Sequence, residues 1–202
     1  MKILITGGCG YIGSKLIPNL LGEGHKIINI DTQWFGNYLT KNKNLKNYKM
    51  NLSEINKLKL KKIDVVIHLA SIANDPMAEL DKNLSWETSA LNTFKLINFM
   101  KKIKAKRIIY ASSGSVYGIS KKTNVTEKTE LKPISLYNKV KMITERVLMS
   151  YNKDFEIFIV RPATVCGYSP RMRLDVTVNA LTFSALKNRK IKVFGGKQVR
   201  PN

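Results

Sequence analysis

Seven residues near the amino terminus, Gly7-Gly8-Cys9-Gly10-Tyr11-Ile12-Gly13, constrain the fold of this chain more than any other segment. They follow the apolar stretch Lys2–Thr6, which predicts a buried strand, and they open the amphipathic stretch Tyr11–Leu21, which predicts a helix. Glycines at this spacing allow a tight turn, close approach of a ligand to the backbone and close packing of helix on strand. Because the start of such a helix binds phosphates, the pattern indicates a nucleotide site.

Short apolar stretches continue to alternate with longer amphipathic ones along the chain. The predicted strands are Lys2–Thr6, Lys26–Ile30, Ile63–Leu69, Arg107–Ala111 and Phe155–Val160, with Tyr48–Leu52 as a weaker candidate. The predicted helices are Tyr11–Leu21, Leu84–Lys102, Ser135–Tyr151 and Val176–Asn188, and Gln33–Asn47 is expected to be irregular. Strands joined by helices in this order predict an α/β fold with a doubly wound parallel sheet, the Rossmann fold.

An acidic residue closes the second predicted strand. Asp31 lies 18 residues beyond Gly13. Its carboxylate can accept hydrogen bonds from both hydroxyls of an adenosine ribose, and it would repel a 2′-phosphate. Together with the glycine turn, Asp31 therefore predicts NAD rather than NADP as the cofactor. The alternative is a glycine turn that binds no ligand.

A tyrosine and a lysine four residues apart are the second chemical feature. Tyr137 and Lys141 share one face of the predicted helix Ser135–Tyr151. An ammonium beside a phenol stabilises the phenolate and makes it a usable base. The serine-rich segment Ser112-Ser113-Gly114-Ser115 lies at the carboxyl end of a predicted strand, the edge at which parallel sheets bind ligands. Without that context, a solvated pair on a helix surface would be the default interpretation.

The charge of the chain is the other unusual property. Its 202 residues include 35 Lys and Arg against 14 Asp and Glu, a formal net charge of +21. The positive residues are mostly lysines spread along predicted loops and solvent-facing helix positions, so we interpret them as a charged surface and expect no nucleic-acid partner. No apolar segment approaches the ~20 residues of a membrane span, which predicts no membrane association.

The cysteines and histidines bear on secretion, disulfide bonds and metal binding. Cys9 and Cys166 lie far apart, and the apolar stretch before the glycines is too short for a secretory signal. We therefore expect a cytoplasmic protein with reduced cysteines. His25 and His68 do not have the spacing of metal ligands, so no metal is expected.

Six features occur in order along the chain and carry a family resemblance. They are GGCGYIGS at 7–14, Asp31, His68-Leu69-Ala70, SSGSVYG at 112–118, YNKVK at 137–141 and RPATVCG at 161–167. In this combination the chain resembles the extended short-chain dehydrogenase/reductase superfamily, specifically the NAD-dependent epimerase/dehydratase family that acts on nucleotide sugars. The resemblance covers essentially the whole chain.

The resemblance implies roles for the matching positions. It implies that NAD is held by Gly7, Gly10, Tyr11, Ile12, Gly13, Asp31, Asn51, Leu52, Leu69, Ala70, Ser71, Tyr137, Lys141 and Pro162. It implies catalytic roles for Ser113, Tyr137 and Lys141, with Tyr137 as base, Lys141 tuning it and Ser113 hydrogen-bonded to the reacting hydroxyl. The implied substrate-binding residues are Ser113, Ser115, Asn179 and Arg200.

The implied reaction is epimerisation of a nucleotide sugar, in which NAD transiently oxidises a sugar hydroxyl to a ketone and then re-reduces it. Family dehydratases carry an Asp-Glu pair directly after the catalytic serine or threonine. This chain has Gly114 and Ser115 there, and neither can transfer the proton that elimination requires. Dehydration is therefore not expected.

The resemblance also implies a division of the chain. Residues 1–168 correspond to an NAD-binding Rossmann domain, and residues 169–202 to only the beginning of a small C-terminal substrate domain, because family members usually continue further. The alternative to an active enzyme is therefore an inactive NAD-binding remnant that cannot retain a substrate. Family members often dimerise through a four-helix bundle whose counterparts here are Leu84–Lys102 and Ser135–Tyr151, so a homodimer is expected.

Overall fold

A six-stranded parallel sheet forms the centre of the computed structural model, which describes residues 1–119 and 124–193. The strands are β1 (Lys2–Thr6), β2 (Lys26–Asp31), β3 (Leu45–Lys49), β4 (Val65–His68), β5 (Arg107–Ala111) and β6 (Glu156–Val160), in the spatial order β3-β2-β1-β4-β5-β6. Every neighbouring pair is parallel. The winding direction reverses between β1 and β4, and such a switch point is where open sheets of this kind bind ligands. The predicted doubly wound fold is confirmed.

Helices connect the strands. The described α-helices are α1 (Gly13–Gly22), α2 (Asp75–Leu80), α3 (Lys82–Trp86), α4 (Asn92–Lys102), α5 (Leu136–Met149) and α6 (Thr177–Asn188). Short 3-10 helices cover Leu52–Lys57 and Gly114–Tyr117, and a π-helical turn covers Glu87–Leu91. Among the described residues, no helix combines the length and apolar character needed to cross a membrane.

Alternate residues of the central strands pack on opposite faces of the sheet. On one face Ile3, Ile5 and Ile27 pack with Ile17 of α1. On the other face Leu4, Val66 and Ile108 belong to a larger core with residues of α4 and α5, such as Leu96 and Leu148. Since each central strand is buried on both faces, its sequence is continuously apolar, which is why these strands could be predicted.

The outer strand β3 differs from its prediction. The weak candidate Tyr48–Leu52 is wrong in position, because the strand covers Leu45–Lys49 and includes the end of the stretch expected to be irregular. Strand β3 pairs only with β2 and is nowhere fully buried, so it needs no apolar run. Its sequence, Leu-Lys-Asn-Tyr-Lys, therefore carries little signal.

The long predicted helix Leu84–Lys102 is divided. The helical path begins at Lys82, passes through the π turn at Glu87–Leu91 and continues as α4. Helix α2 was not predicted; it is six residues long and begins where the Asn74 side chain accepts a hydrogen bond from the Met77 N–H. The other helices start or end within two residues of their predicted bounds.

His68, the last residue of β4, is fully buried between β1 and α4. The Thr6 hydroxyl lies 2.6 Å from His68 Nδ1, and the Thr93 hydroxyl lies 3.0 Å from Nε2. Burial lowers the pKa of His68 to about 3, with a smaller contribution from the Lys141 charge. The imidazole is therefore neutral in the folded chain at neutral pH.

This arrangement predicts an acid-sensitive contribution to stability. The unfolded chain binds a proton at His68 below about pH 6.5, whereas the folded chain does not until about pH 3. The free energy of unfolding should thus fall by about 2 kcal/mol between pH 7 and pH 5 through this residue. Urea unfolding of the wild type and of His68→Asn at both pH values measures the difference. Equal pH dependence in the two proteins would contradict a neutral, buried His68.

Candidate active site

The glycine turn lies between β1 and α1, pressed against the end of β4. Gly7 has a φ of +77°, and a Cβ there would lie 2.6 Å from the Ala70 backbone nitrogen. A Cβ on Gly13 would lie 2.4 Å from the Gly8 Cα. A side chain at either position would therefore clash with the backbone against which the turn packs. Helix α1 begins at Gly13, and the N–H groups of Ser14 and Leu16 in its first turn donate to the Gly10 and Ile12 carbonyls, each at 3.0 Å.

Two polar side chains of β2 fix the turn from below. The Gly8 N–H donates to Asn29 Oδ1 at 2.9 Å, and Asn29 Nδ2 donates to Asn47 Oδ1 at 2.8 Å. The Cys9 N–H donates to Asp31 Oδ2 at 2.9 Å, and the Gln33 N–H donates to Asp31 Oδ1 at 2.6 Å. Asp31 is thus immobilised at the mouth of the turn. Sequence reasoning missed Asn29; its signal is a polar residue inside the apolar run Lys-Ile-Ile-Asn-Ile.

Cys9 is a packing residue of this turn. Its buried thiol lies near Asn29 and Asn47, and burial together with the Asp31 charge raises its pKa to about 11. The thiol is therefore protonated at neutral pH and is not a nucleophile.

The segment after β4 is held by a serine from the π turn. Leu69, Ala70 and Ser71 are partly buried at the carboxyl end of β4. The Ser89 hydroxyl lies 3.1 Å from the Ser71 hydroxyl and accepts the Ile72 N–H at 3.1 Å. A π turn at this place brings the Ser89 side chain against the segment after β4, and π turns occur often at functional sites.

Asn51 and Leu52 lie beyond β3. The Asn51 side chain caps the following 3-10 helix by accepting the Ser53 N–H at 2.8 Å, and it also accepts from Asn92 Nδ2 at 3.4 Å. Leu52 is buried in the larger core. A cofactor role for these two residues stays a prediction.

The predicted catalytic residues meet where β5 ends and α5 begins. The Ser113 hydroxyl lies 2.7 Å from the Ser115 hydroxyl, and Ser113 is close enough to Tyr137 to lower the pKa of the phenol. Ser115 in turn donates to Asn138 Oδ1 at 2.6 Å. Lys141 Nζ lies 5.8 Å from the centre of the Tyr137 ring and donates to the Ala111 carbonyl at 2.7 Å. The structure therefore brings Ser113, Ser115, Tyr137 and Lys141 together.

The electrostatics of this cluster differ from the sequence-based expectation. Burial raises the pKa of Tyr137, and the Asp75 charge adds to the rise, whereas Ser113 and the Arg173 charge lower the pKa. Burial also lowers the pKa of Lys141 to about 8, against the opposing effect of Glu145. The causes of the Tyr137 pKa shift are therefore burial, Ser113, Arg173 and Asp75, while the Lys141 ammonium is bonded to the Ala111 carbonyl. Tyr137 is a neutral phenol here.

Two of the remaining predicted residues are engaged with the protein itself. Asn179 accepts the Gly167 N–H at 2.9 Å and donates to the Tyr11 hydroxyl at 3.0 Å and to the Arg173 carbonyl at 2.9 Å. Tyr11 donates to the Gly167 carbonyl at 2.6 Å. These bonds fasten the segment after β6 to the glycine turn. Substrate contact by Asn179 stays a prediction and requires an exchange of these partners.

The other predicted positions are Ile12, Pro162 and Arg200. Ile12 is part-exposed directly before α1. The Pro162 carbonyl accepts the Gly114 N–H at 2.8 Å, which ties the end of β6 to the serine-rich turn. Arg200 lies outside the described residues.

The residues at the switch point fit a dinucleotide. A Cβ on Gly10 would approach only the Gly7 carbonyl, at 3.2 Å, so the front of the turn is open while its back is filled. The start of a helix can bind a phosphate, and the Asp31 carboxylate can accept hydrogen bonds from ribose hydroxyls at the adjacent strand end. Within residues 1–119 and 124–193, no group of three or more His, Cys, Asp or Glu side chains is placed to hold a metal ion.

The sequence is similar to known sugar-nucleotide enzymes. The model of the NAD dependent epimerase/dehydratase family matches residues 3–201. An uncharacterised UDP-glucose epimerase of Bacillus subtilis is 33% identical over a gapped alignment of 218 positions. The alignment includes 99% of this chain and 67% of that protein. A putative UDP-glucose 4-epimerase of Methanocaldococcus jannaschii is 30% identical, covering 98% of this chain and 68% of its own length.

Solved structures show the same architecture. The UDP-glucose 4-epimerase of Thermotoga maritima, solved with UDP-glucose, matches 96% of this chain with a TM-score of 0.86 and 26% identity. The UDP-N-acetylglucosamine 4-epimerase of Methanobrevibacter ruminantium matches 94% of it with a TM-score of 0.82 and 26% identity.

This chain spans only part of these proteins. It covers 66% of the Thermotoga chain and 63% of the Methanobrevibacter chain, and 46% of a UDP-glucose 4-epimerase of Lactobacillus helveticus that is 30% identical over 152 residues. The family match nevertheless extends over nearly all of this chain and includes the glycine turn, Asp31 and the tyrosine–lysine pair. The chain therefore belongs to the NAD-dependent epimerase/dehydratase family.

Proposed function

We propose that this chain is an NAD-dependent, epimerase-type oxidoreductase of nucleotide sugars. The observation that carries the proposal is a juxtaposition at one edge of the sheet. The glycine turn follows β1, and the Ser113–Tyr137–Lys141 cluster lies beyond β5, with only β4 between these strands. Adjacent strands are about 4.8 Å apart, so a dinucleotide extended across about 10 Å of sheet edge can reach both.

The cofactor would bind across this edge. The glycine turn and the start of α1 would hold the pyrophosphate, Asp31 the adenosine ribose, and Lys141 the nicotinamide ribose. An ammonium has three N–H groups, and the Ala111 carbonyl uses one of those on Lys141. When bound, NAD supplies a reversible hydride acceptor.

The chain's own residues handle the proton. Ser113 orients the sugar hydroxyl, and Tyr137, once it has lost its proton, accepts the hydroxyl proton as the carbon centre is oxidised. When the ketone is reduced from its other face, Tyr137 returns a proton to the oxygen. One phenol thus acts first as base and then as acid, and the centre is inverted without net oxidation.

The neighbouring residues support epimerisation over dehydration. Gly114 and Ser115 follow Ser113 and carry no carboxylate. Asp75 and Glu145, the carboxylates whose charges act on Tyr137 and Lys141, are already bound, because Asp75 accepts the Ser135 hydroxyl and Glu145 is paired with Arg161. A 4,6-dehydratase of Dictyostelium discoideum is also similar, at 31% identity, so the distinction depends on these side chains.

The proposed substrate class is supported by the ligands of the similar solved structures and by the net charge of this chain. The similar solved epimerases are described with UDP-linked sugars. A chain of net charge +21 attracts a nucleoside diphosphate over a distance, and we expect Arg200 to contact the diphosphate. The cytoplasmic location expected from the sequence and the domain division at residue 168 remain part of this proposal.

The direct test is turnover of UDP-galactose or UDP-glucose in the presence of NAD, followed by proton NMR of the anomeric signals. Interconversion of the two sugars supports the proposal. Binding of NAD by calorimetry without binding or turnover of any UDP-sugar would instead support the inactive NAD-binding remnant.

The catalytic assignment predicts a specific defect. Tyr137→Phe removes the proton acceptor and should lower turnover by at least about 100-fold. Its NAD affinity should stay within a factor of about three, because the phenol contributes one hydrogen bond at most. The control Tyr168→Phe alters a tyrosine that is 77% exposed and should leave both values unchanged. Wild-type turnover in Tyr137→Phe would remove Tyr137 from the mechanism.

The homodimer belongs to the same proposal. Leu91 and Phe94, on the π turn and α4, and Ile143 on α5 are exposed on faces directed away from the sheet. Two copies of this face would form the expected four-helix bundle. The resulting burial of apolar side chains favours association.

This interface predicts that Phe94→Glu is monomeric while the wild type is dimeric, because a carboxylate in the bundle would be desolvated. Sedimentation velocity measures the difference. Phe158→Glu on β6, where the ring is 51% exposed, is the matched control and should leave the dimer intact. A monomeric wild type at high concentration would refute the interface.

A further inference from the structure

An ion pair between a buried carboxylate and a partly buried guanidinium lies beside the proposed catalytic residues. Glu145 follows Lys141 by one turn of α5, and its side chain is 4% exposed. It binds the Arg161 guanidinium through two nitrogens, with Nε 2.9 Å from Oε1 and Nη2 2.6 Å from Oε2. The planar, two-point geometry makes this pair rigid.

The pair is the junction of four parts of the site. The Ser112 hydroxyl, next to Ser113, donates to Glu145 Oε1. Arg161 Nη1 lies 2.9 Å from the Tyr117 hydroxyl, and the guanidinium stacks 5.1 Å from that ring. The ends of β5 and β6, the turn that follows Ser113, and α5 with its tyrosine and lysine are therefore fixed to one carboxylate.

Stability alone does not explain this arrangement. Desolvating two charges costs much of what their attraction returns, so a buried pair is a weak source of folding free energy compared with apolar packing. The same strands carry a second Arg–Glu pair at their other ends, Arg107 with Glu156, and that pair is 44% and 55% exposed. Of the two pairs, the one at the end of the strands where the site lies is thus by far the more buried, with side chains 4% and 19% exposed.

We propose that Glu145, held by Arg161, is a positioning residue that aligns Ser113 with Lys141 and maintains the positive charge of Lys141 in the site. The proposal rests on the proposed function, because it assigns Glu145 a part in NAD binding and turnover.

The surroundings of Lys141 explain why such a residue is needed. Around the ammonium are Tyr137 from its own helix, the Tyr110 ring of β5 at 5.1 Å, neutral His68 of β4, and Glu145 paired with Arg161. Burial lowers the pKa of Lys141 to about 8, and Glu145 opposes this change. Without the carboxylate, the lysine would lose its proton closer to neutral pH.

The test is the pH dependence of NADH binding, followed by nicotinamide fluorescence, in the wild type and Glu145→Gln. Wild-type affinity should fall as the pH rises through about 8. In Glu145→Gln the same fall should come about one pH unit lower, so that at pH 7.5 the affinity is about threefold weaker. The alkaline limb of the pH profile of turnover should shift to lower pH by the same amount as the NADH affinity.

Two further variants separate positioning from general stability. Glu156→Gln breaks the exposed pair at the other strand ends and should keep the wild-type pH profile. Glu145→Gln/Arg161→Gln leaves no unpaired, partly buried guanidinium, so it should unfold at a higher temperature than Glu145→Gln while keeping the acid-shifted profile. If Glu145→Gln does not fold, the double variant provides the measurement.

The outcomes distinguish the two proposals. A wild-type pH profile in the folded Glu145 variants overturns the role of Glu145 while leaving the proposed function intact. A wild-type chain that binds no NADH at any pH overturns both. A shift in the folded Glu145 variants and not in Glu156→Gln supports the positioning role.

Discussion

The close approach between the glycine turn and the end of β4 is the contact on which the rest of the site depends. No side chain fits at Gly7 beside Ala70 or at Gly13 beside Gly8. The approach sets the position of the segment after β4, whose Ser71 and Ile72 bind Ser89. The Ser89 carbonyl accepts the Thr144 hydroxyl at 3.1 Å, and Thr144 lies on α5 with Tyr137 and Lys141. A continuous series of short contacts thus joins the glycine turn to the helix that carries Tyr137 and Lys141.

The molecule carries buried polar groups that a fold selected for stability alone would omit. His68, Lys141 and Glu145 are all buried, and burial disfavours the charged forms of the first two. Departures of this kind from an apolar core are concentrated at functional sites. Here they lie around the carboxyl ends of β4, β5 and β6, and the opposite ends of β5 and β6 carry an exposed ion pair instead.

The fold was predictable because its central strands are buried on both faces and are therefore continuously apolar. Edge strand β3, which is paired on one side only, was misplaced for the same physical reason. The candidate site could be located where particular residue types occur at fixed spacing, as at Gly7 and Gly13 or Tyr137 and Lys141, and the structure brings these residues to one edge of the sheet. Contacts that depend on tertiary placement were not predictable: the Asn29 support of the turn, the hydrogen bond from Lys141 to Ala111, and the internal partners of Asn179.

The central claim is that the glycine turn binds NAD and thereby places it against Tyr137 and Lys141. Calorimetric titration of NAD into the wild type, Gly13→Ala and Gly22→Ala tests it most directly, because a Cβ at Gly13 would lie 2.4 Å from Gly8 whereas one at Gly22 meets nothing within 4 Å. The account predicts binding by the wild type and Gly22→Ala, and loss of binding in folded Gly13→Ala. Equal NAD affinity in all three proteins, or no binding by the wild type, would contradict it.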